Sequence, residues 1–227
     1  MFRKQPRKIK GMLAMMVPGL NIGLFAYPLV EGIWGEEGIK YFGMLDVGNA
    51  IIVYGVCYFI GSFYSSGKAR FDLKSIPSKM ARSIPFMSYM IVCSLNLAGL
   101  QFPSYLIDAA AIIAMANMPM SLLLLGIYLN VSFDRENAAL ITKCLTLRYG
   151  TGVIIGTILF LTLPFEDMFK YTLLIGLILP TPLSVLPYSV EFDYNRKFVG
   201  AVSNLSLLIS FLLLWLIGNL LLSHAPV

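Results

Sequence analysis

Asn21, Thr181 and Ser184 stand beside prolines that interrupt long apolar runs, a combination able to hold a polar solute inside a membrane. The first run, GLNIGLFAYPLVEGIWGEEG (19–38), carries Asn21, with Pro18 just upstream and Pro28 in its body. The second, LILPTPLSVLPYSVEF, carries Pro180, Pro182 and Pro187 around Thr181 and Ser184. A proline inside a helix removes a backbone donor and clashes with the preceding turn. In hydrocarbon, the groups so freed are tolerated only where protein or a wet cavity satisfies them. The spacing therefore predicts two helix breaks, one between Pro18 and Pro28 and one within 180–187, lying side by side. Ordinary kinking is the competing reading, because glycine and proline are frequent in membrane helices. Asn21 can hold a carboxylate or cap a half-helix. Thr181 and Ser184 are expected to bond back to carbonyls freed by the prolines, with substrate contact as a further role. Asp46 and Asn49, three residues apart, share a helix face with Gly43. Ionisable groups inside a span suggest substrate access or proton coupling; interfacial water or Lys40 is the alternative for Asp46.

The elements that position these residues are membrane helices. The chain is 58% hydrophobic and 13% charged, about half the charge of an ordinary soluble domain. Its mean hydropathy is +0.78. Apolar length predicts seven spans, near 11–35, 39–63, 83–101, 104–131, 149–165, 170–191 and 197–222. The net charge of +5 is explained by topology rather than by nucleic acid. Basic residues from Arg3 to Lys10, from Lys68 to Arg82, and Arg135, Lys143, Arg148, Arg196 and Lys197 fall on one side. Lys40 and Lys170 fall on the other. The positive-inside rule then places the N-terminus in the cytoplasm and the C-terminus outside a cell membrane. Trp34, Tyr41, Phe102, Tyr105, Phe169 and Tyr171 gather at the outer ends. Glycines 43, 48, 55, 150, 152 and 156 are expected to admit close helix approach.

Other chemistry finds little footing. Cys57 and Cys93 lie in apolar runs and Cys144 in a predicted loop, with no CxxC pair. His224, the single histidine, is at the extreme C-terminus. No metal, cofactor or catalytic group set is expected, and an enzyme is not. Glu31, Glu36 and Glu37 read as a solvated outer turn and Asp108 as interfacial. Asn117 reads as an interhelical hydrogen-bonding residue.

The two broken segments echo one another. PLVE at 28–31 matches PYSVE at 187–191, each followed by a hydrophilic turn and a span with an early asparagine, Asn49 or Asn204. The first runs from inside to outside and the second the reverse way. Oppositely oriented broken helices point to a midplane binding site in a secondary transporter.

The run from Asn21 to Pro28 with LVEGIWGEEG and MLDVGNA, the stretch ANMPMSLLLLGIYL (116–129), and LPTPLSVLPYSVEFDYNRKFVGAVSNLSLLIS together resemble the auxin efflux carrier family. The likeness covers 11–222. It implies an all-α fold of two inverted halves of five spans, each with a broken fourth helix, the two crossing at the substrate site. On that plan 11–63 is the remainder of the first half, 83–222 is the second, and the first three spans are lacking. Leu186 stands where the family often has a polar residue. The resemblance implies transport of small organic anions, carboxylates or auxin-like acids, by alternating access in a lipid bilayer. The alternative is a truncated, non-transporting protein that needs a second copy or a separate segment as partner. The absent span is expected to leave Asn21 and the freed carbonyls near lipid, and the chain alone to transport poorly.

Overall fold

The computed structural model describes residues 5–65, 84–116, 119–120, 123 and 137–222. Asn117, most of the 64–82 and 124–136 stretches, and 223–227 with His224 lie outside the described residues. Among the described residues the chain is all-helical. In order it has α1 (Arg7–Met16), a π-helical turn (Ile22–Ala26) leading into α2 (Tyr27–Ile51), and a second π-helical turn (Ile52–Cys57) leading into α3 (Tyr58–Tyr64). Then come α4 (Ile84–Leu97), α5 (Ser104–Met115), α6 (Ala138–Thr162), α7 (Asp167–Leu177), α8 (Val185–Glu191) and α9 (Arg196–Leu222).

Three described helical runs are long and apolar enough to cross a membrane: Ile22–Tyr64, Ala138–Thr162 and Arg196–Gly218. The 43 residues of the first would reach about twice the thickness of a bilayer core if straight. They do not run straight. Gly35 takes φ 58°, ψ −140°, a region essentially reserved for glycine, and the chain reverses there. Tyr27 consequently donates to Asp46 at 3.3 Å, and Arg7 reaches the Phe63 carbonyl at 2.8 Å. This reversal falls between the limits expected for the first two spans, 11–35 and 39–63.

The second hairpin is α6 against α7. A Cβ added at Gly152 would lie 2.3 Å from the Leu177 carbonyl oxygen, and one at Gly156 3.0 Å from a Leu174 methyl. Gly48, Gly55 and Gly150, by contrast, have nothing within 4 Å of such a Cβ. The two hairpins meet at one end, where Trp34 stacks on Tyr171 at 6.5 Å between ring centroids. Tyr41 there donates to Glu166 at 3.0 Å. The core between them is apolar, with Phe42, Phe198, Leu13, Met15, Met16 and Ile22 fully enclosed.

At the other end α1 and α3 hold the turn after α8. Tyr58 donates to Glu191 at 2.5 Å and Tyr194 to the Gly61 carbonyl at 2.6 Å. Lys8 pairs with Asp193 at 2.6 Å. Asp193 has φ 54° just past the helix end, a left-handed position that Asp and Asn tolerate. The Lys8 ammonium holds the Asp193 carboxyl below its ordinary value. A depressed carboxylate contributes stability above the unfolded value of about 3.9, and that contribution is lost as pH falls through the lower folded value. Asp193→Asn keeps the backbone conformation and removes the pair. Its melting temperature is expected to lie slightly below that of the parent at neutral pH, the gap closing on acidification. A gap that persists in acid would contradict this. Both groups are exposed, so the effect is small.

Candidate functional site

Two interruptions meet at the centre of the molecule. The first is the non-helical stretch from Val17 to Asn21, between α1 and the first π-helical turn. The second runs from Ile178 to Ser184, between α7 and α8. Pro18 lies in the first and Pro180 and Pro182 in the second. They touch directly: the Asn21 backbone N–H donates to the Pro180 carbonyl at 3.0 Å. An added Cβ at Gly19 would lie 2.7 Å from the Pro182 ring. Pro28 and Pro187, expected to be break points, are not. Pro187 sits in the first turn of α8, where an N–H has no intrahelical partner to lose. Pro28 lies inside the continuous run from Ile22, directly after the π-helical turn Ile22–Ala26, a local departure from α geometry beside the missing donor.

Helices later in the chain supply hydrogen bonds that each break has lost. Asn49, on α2, accepts from Leu20 N–H and donates to the Leu20 carbonyl, both at 2.9 Å. On α9, Ser206 accepts from Thr181 N–H at 3.1 Å and Ser210 donates to the Ile178 carbonyl at 2.7 Å. The Tyr149 hydroxyl joins this group, 2.6 Å from the Ser206 carbonyl and 2.7 Å from Ser210 Oγ. At the second break, Ser206 and Ser210 on α9 make these bonds.

Arg148 is the residue that sequence reasoning misplaced. Counted among the basic residues of an inner loop, it is 4% exposed and lies within α6, which starts at Ala138 rather than near 149. Cys144, expected in the same loop, is likewise a buried residue of α6. The Arg148 guanidinium bridges both interruptions. Nη1 donates to the carbonyls of Met16 at 3.1 Å and Val17 at 2.5 Å. Nη2 donates to Gly19 at 2.7 Å, Leu179 at 2.8 Å and Pro180 at 2.9 Å.

The remaining candidates fall around this crossing. Asn21 is 5% exposed, so the expectation that it lies near lipid is not met; α6 and the second interruption of the same chain enclose it. It does not cap the helix that follows, for no side-chain cap bond forms, and its Nδ2 has no partner. Thr181 bonds not to a freed carbonyl but to the Ser206 and Ser203 hydroxyls, at 3.0 and 3.4 Å. Ser184 Oγ is buried without a partner. Asp46 meets Asn49 Nδ2 at 3.3 Å and the Tyr27 hydroxyl at 3.3 Å, which connects it to the first interruption through Asn49. Among the described residues no group of three or more His, Cys, Asp or Glu side chains could hold a metal ion.

The two interruptions thus bring backbone polar groups and unpartnered buried donors together inside an apolar protein, the chemistry of a site for a small polar solute. The chain is 21% identical over 236 residues to an uncharacterized transporter of Methanocaldococcus jannaschii, an alignment that covers 98% of this chain and 71% of that protein. No family model matches the chain, and no solved structure matches it. Apolar helices and this distant likeness together support a membrane protein with a role in transport.

Proposed function

We propose that the protein is a secondary carrier of small organic anions, with the crossing of the two interrupted helices as its substrate site. The reading includes seven spans in two inverted parts, the N-terminus in the cytoplasm, and alternating access around the crossing. The observation that carries it is the bond from Asn21 N–H to the Pro180 carbonyl, which joins two interruptions far apart in sequence. Helix breaks pooled at one point are the arrangement expected of a transporter site. The segments leaving the crossing, the turn from Ile22 and helix α8 from Val185, begin with Asn21 and Ser184, neither of which caps its helix. The N–H groups that open the turn from Ile22 and the Asn21 amide suit a carboxylate, whereas those of Val185 and Leu186 are already bonded to Pro182 and Leu183. Asp46, linked through Asn49 to the first interruption, is positioned for proton coupling.

The test is uptake of labelled succinate or benzoate by the purified protein in liposomes, measured against empty vesicles. A hydrogen bond to a charged ligand is worth about 1.5–3 kcal/mol. Asn21→Ala is therefore expected to weaken half-saturation at least about tenfold. Uptake by the parent protein that Asn21→Ala leaves unchanged would remove Asn21 from the site. Failure to move any of a panel of mono- and dicarboxylates would remove the proposal itself.

A further inference from the structure

The five carbonyls that Arg148 holds are not a random set. Met16 and Val17 end α1, and Gly19 follows two residues later. Leu179 and Pro180 follow the end of α7. All five oxygens therefore belong to the C-terminal, negative ends of two half-helices that converge on one point. In carriers built on broken helices such ends, with their unwound carbonyls, are where a coupling cation such as Na+ is coordinated. Here a guanidinium occupies that position, with donors 2.5–3.1 Å from the oxygens. A guanidinium keeps its charge in proteins, and it cannot leave.

Its charge is solvated rather than cancelled. Carbonyl dipoles stabilise a cation without neutralising it, and no carboxylate pairs with Arg148 among the described residues. A buried unpaired charge is costly. The fold accepts it in the same place where Arg148 Nε and Asn21 Nδ2, both buried, have no hydrogen-bond partner. The two residues are neighbours, since Asn21 N–H and Arg148 Nη2 share the Pro180 carbonyl, at 3.0 and 2.9 Å.

We propose that Arg148 is a resident cation of the crossing, which takes the place of a coupling alkali cation, so that an anion is bound there without Na+ or K+. The substrate half of this statement rests on the carrier reading above; the resident cation does not. The bound anion supplies the countercharge that the buried guanidinium lacks. Arg148 is a positioning residue for both interruptions and the source of the site's preference for negative charge.

The test begins without substrate. Melting of the purified protein is followed in choline, sodium and potassium chloride at equal ionic strength, for the parent and for Arg148→Gly. The parent is expected to melt at the same temperature in all three. Arg148→Gly is expected to melt about 10 °C lower in choline, because its orphaned carbonyls lose their donors. Millimolar Na+ or guanidinium should restore part of that loss saturably, where choline does not. Saturable stabilisation of the parent by Na+ overturns the proposal. So does a folded Arg148→Gly that responds to no small cation. If Arg148→Gly does not fold, Arg148→Lys decides. A folded lysine variant indifferent to Na+ supports a fixed charge, and one that Na+ stabilises overturns it. Liposome uptake of succinate or benzoate supplies the second arm. Rates within twofold in sodium and choline media support the proposal, and a tenfold dependence on Na+ overturns it. Absence of uptake in both media refutes the carrier reading alone, and the melting data still decide the resident cation.

Discussion

Asn49→Leu is expected to lower the melting temperature of the detergent-solubilised protein by roughly 5–20 °C. Asn49 is 6% exposed, and its amide pairs with Leu20 as one peptide pairs with another, through N–H and carbonyl at once. Leucine has a similar volume and neither group. Two backbone groups are then left buried without partners, each at a cost of about 1–3 kcal/mol. A domain of this size loses about 2–4 °C for each kcal/mol. Asn49→Asp should be no better, because it cannot donate to the Leu20 carbonyl and it sets a second carboxylate against Asp46, now 3.3 Å away. Ser206→Ala, which orphans Thr181 N–H but no backbone carbonyl, should cost less than Asn49→Leu. Thermal unfolding of the three variants checks the order. An Asn49→Leu protein as stable as its parent would mean that Leu20 finds another partner and that the first interruption does not depend on α2.

Gly152→Val is expected to be equally damaging for a different reason. The atom nearest to an added Cβ is the Leu177 carbonyl oxygen, at 2.3 Å, followed by the carbonyl carbon at 3.2 Å. Backbone cannot rotate aside as a side chain can, so α6 and α7 must part. Forcing extra carbon into a packed contact costs about 1–3 kcal/mol, and more where nothing yields. A loss of about 3 kcal/mol or more corresponds to a fall of roughly 6–12 °C. Two controls bracket the result. At Gly156 the nearest atom is a flexible Leu174 methyl at 3.0 Å, so alanine there should be milder. At Gly150 nothing lies within 4 Å, and alanine should be neutral or raise stability through its better helix propensity, by up to about 1 kcal/mol. Arg148 lies one turn from Gly152 on the same helix, so a displaced α6 also pulls the guanidinium from its carbonyls. Transport by Gly152→Val should therefore fall further than the loss of folded protein explains.

Much of this arrangement is legible in residues 11–63 and 170–222, and the reason is physical. Apolar runs cannot hide in a membrane protein, and prolines in the middle of them have few explanations. The helical class, the two interruptions and their meeting follow from that. Pro28 and Pro187 misled because a proline need not mark the break itself. The breaks lie earlier, at Val17–Asn21 and Ile178–Ser184; Pro187 falls in the first turn of the next helix, and Pro28 follows a π-helical turn that has already begun it. Asn49 was legible as a polar residue on a useful face, but its partner was not, since no local pattern shows that Leu20 lies opposite. Asn21 read as a cap and a ligand equally well; packing against Pro180 leaves its amide uncapped. Arg148 was hidden by a rule that counts charges by position. A basic residue next to an apolar run reads as its cytoplasmic flank, whether it sits outside the helix or well inside it, as Arg148 does in α6. The signal was present in the spacing: Arg148, Gly152 and Gly156 form one stripe at four-residue intervals, and the glycines mark that stripe as the face against α7.

Arg148 also bears on how the molecule is made. Its partners lie 129–132 residues before it and 31–32 after it. During synthesis α6 reaches the bilayer before Leu179 and Pro180 exist. An arginine at the centre of a nascent span costs about 2.5–3.5 kcal/mol to insert, and nothing local offsets it. The rest of α6 is apolar enough to carry it in, but the guanidinium must then find carbonyls laid down in the first quarter of the chain and wait for those of the next hairpin. Contacts so distant in sequence form slowly and late. The crossing therefore cannot be completed before α7 and the turn after it are made, and until then Arg148 has only the carbonyls of Met16, Val17 and Gly19 to turn to.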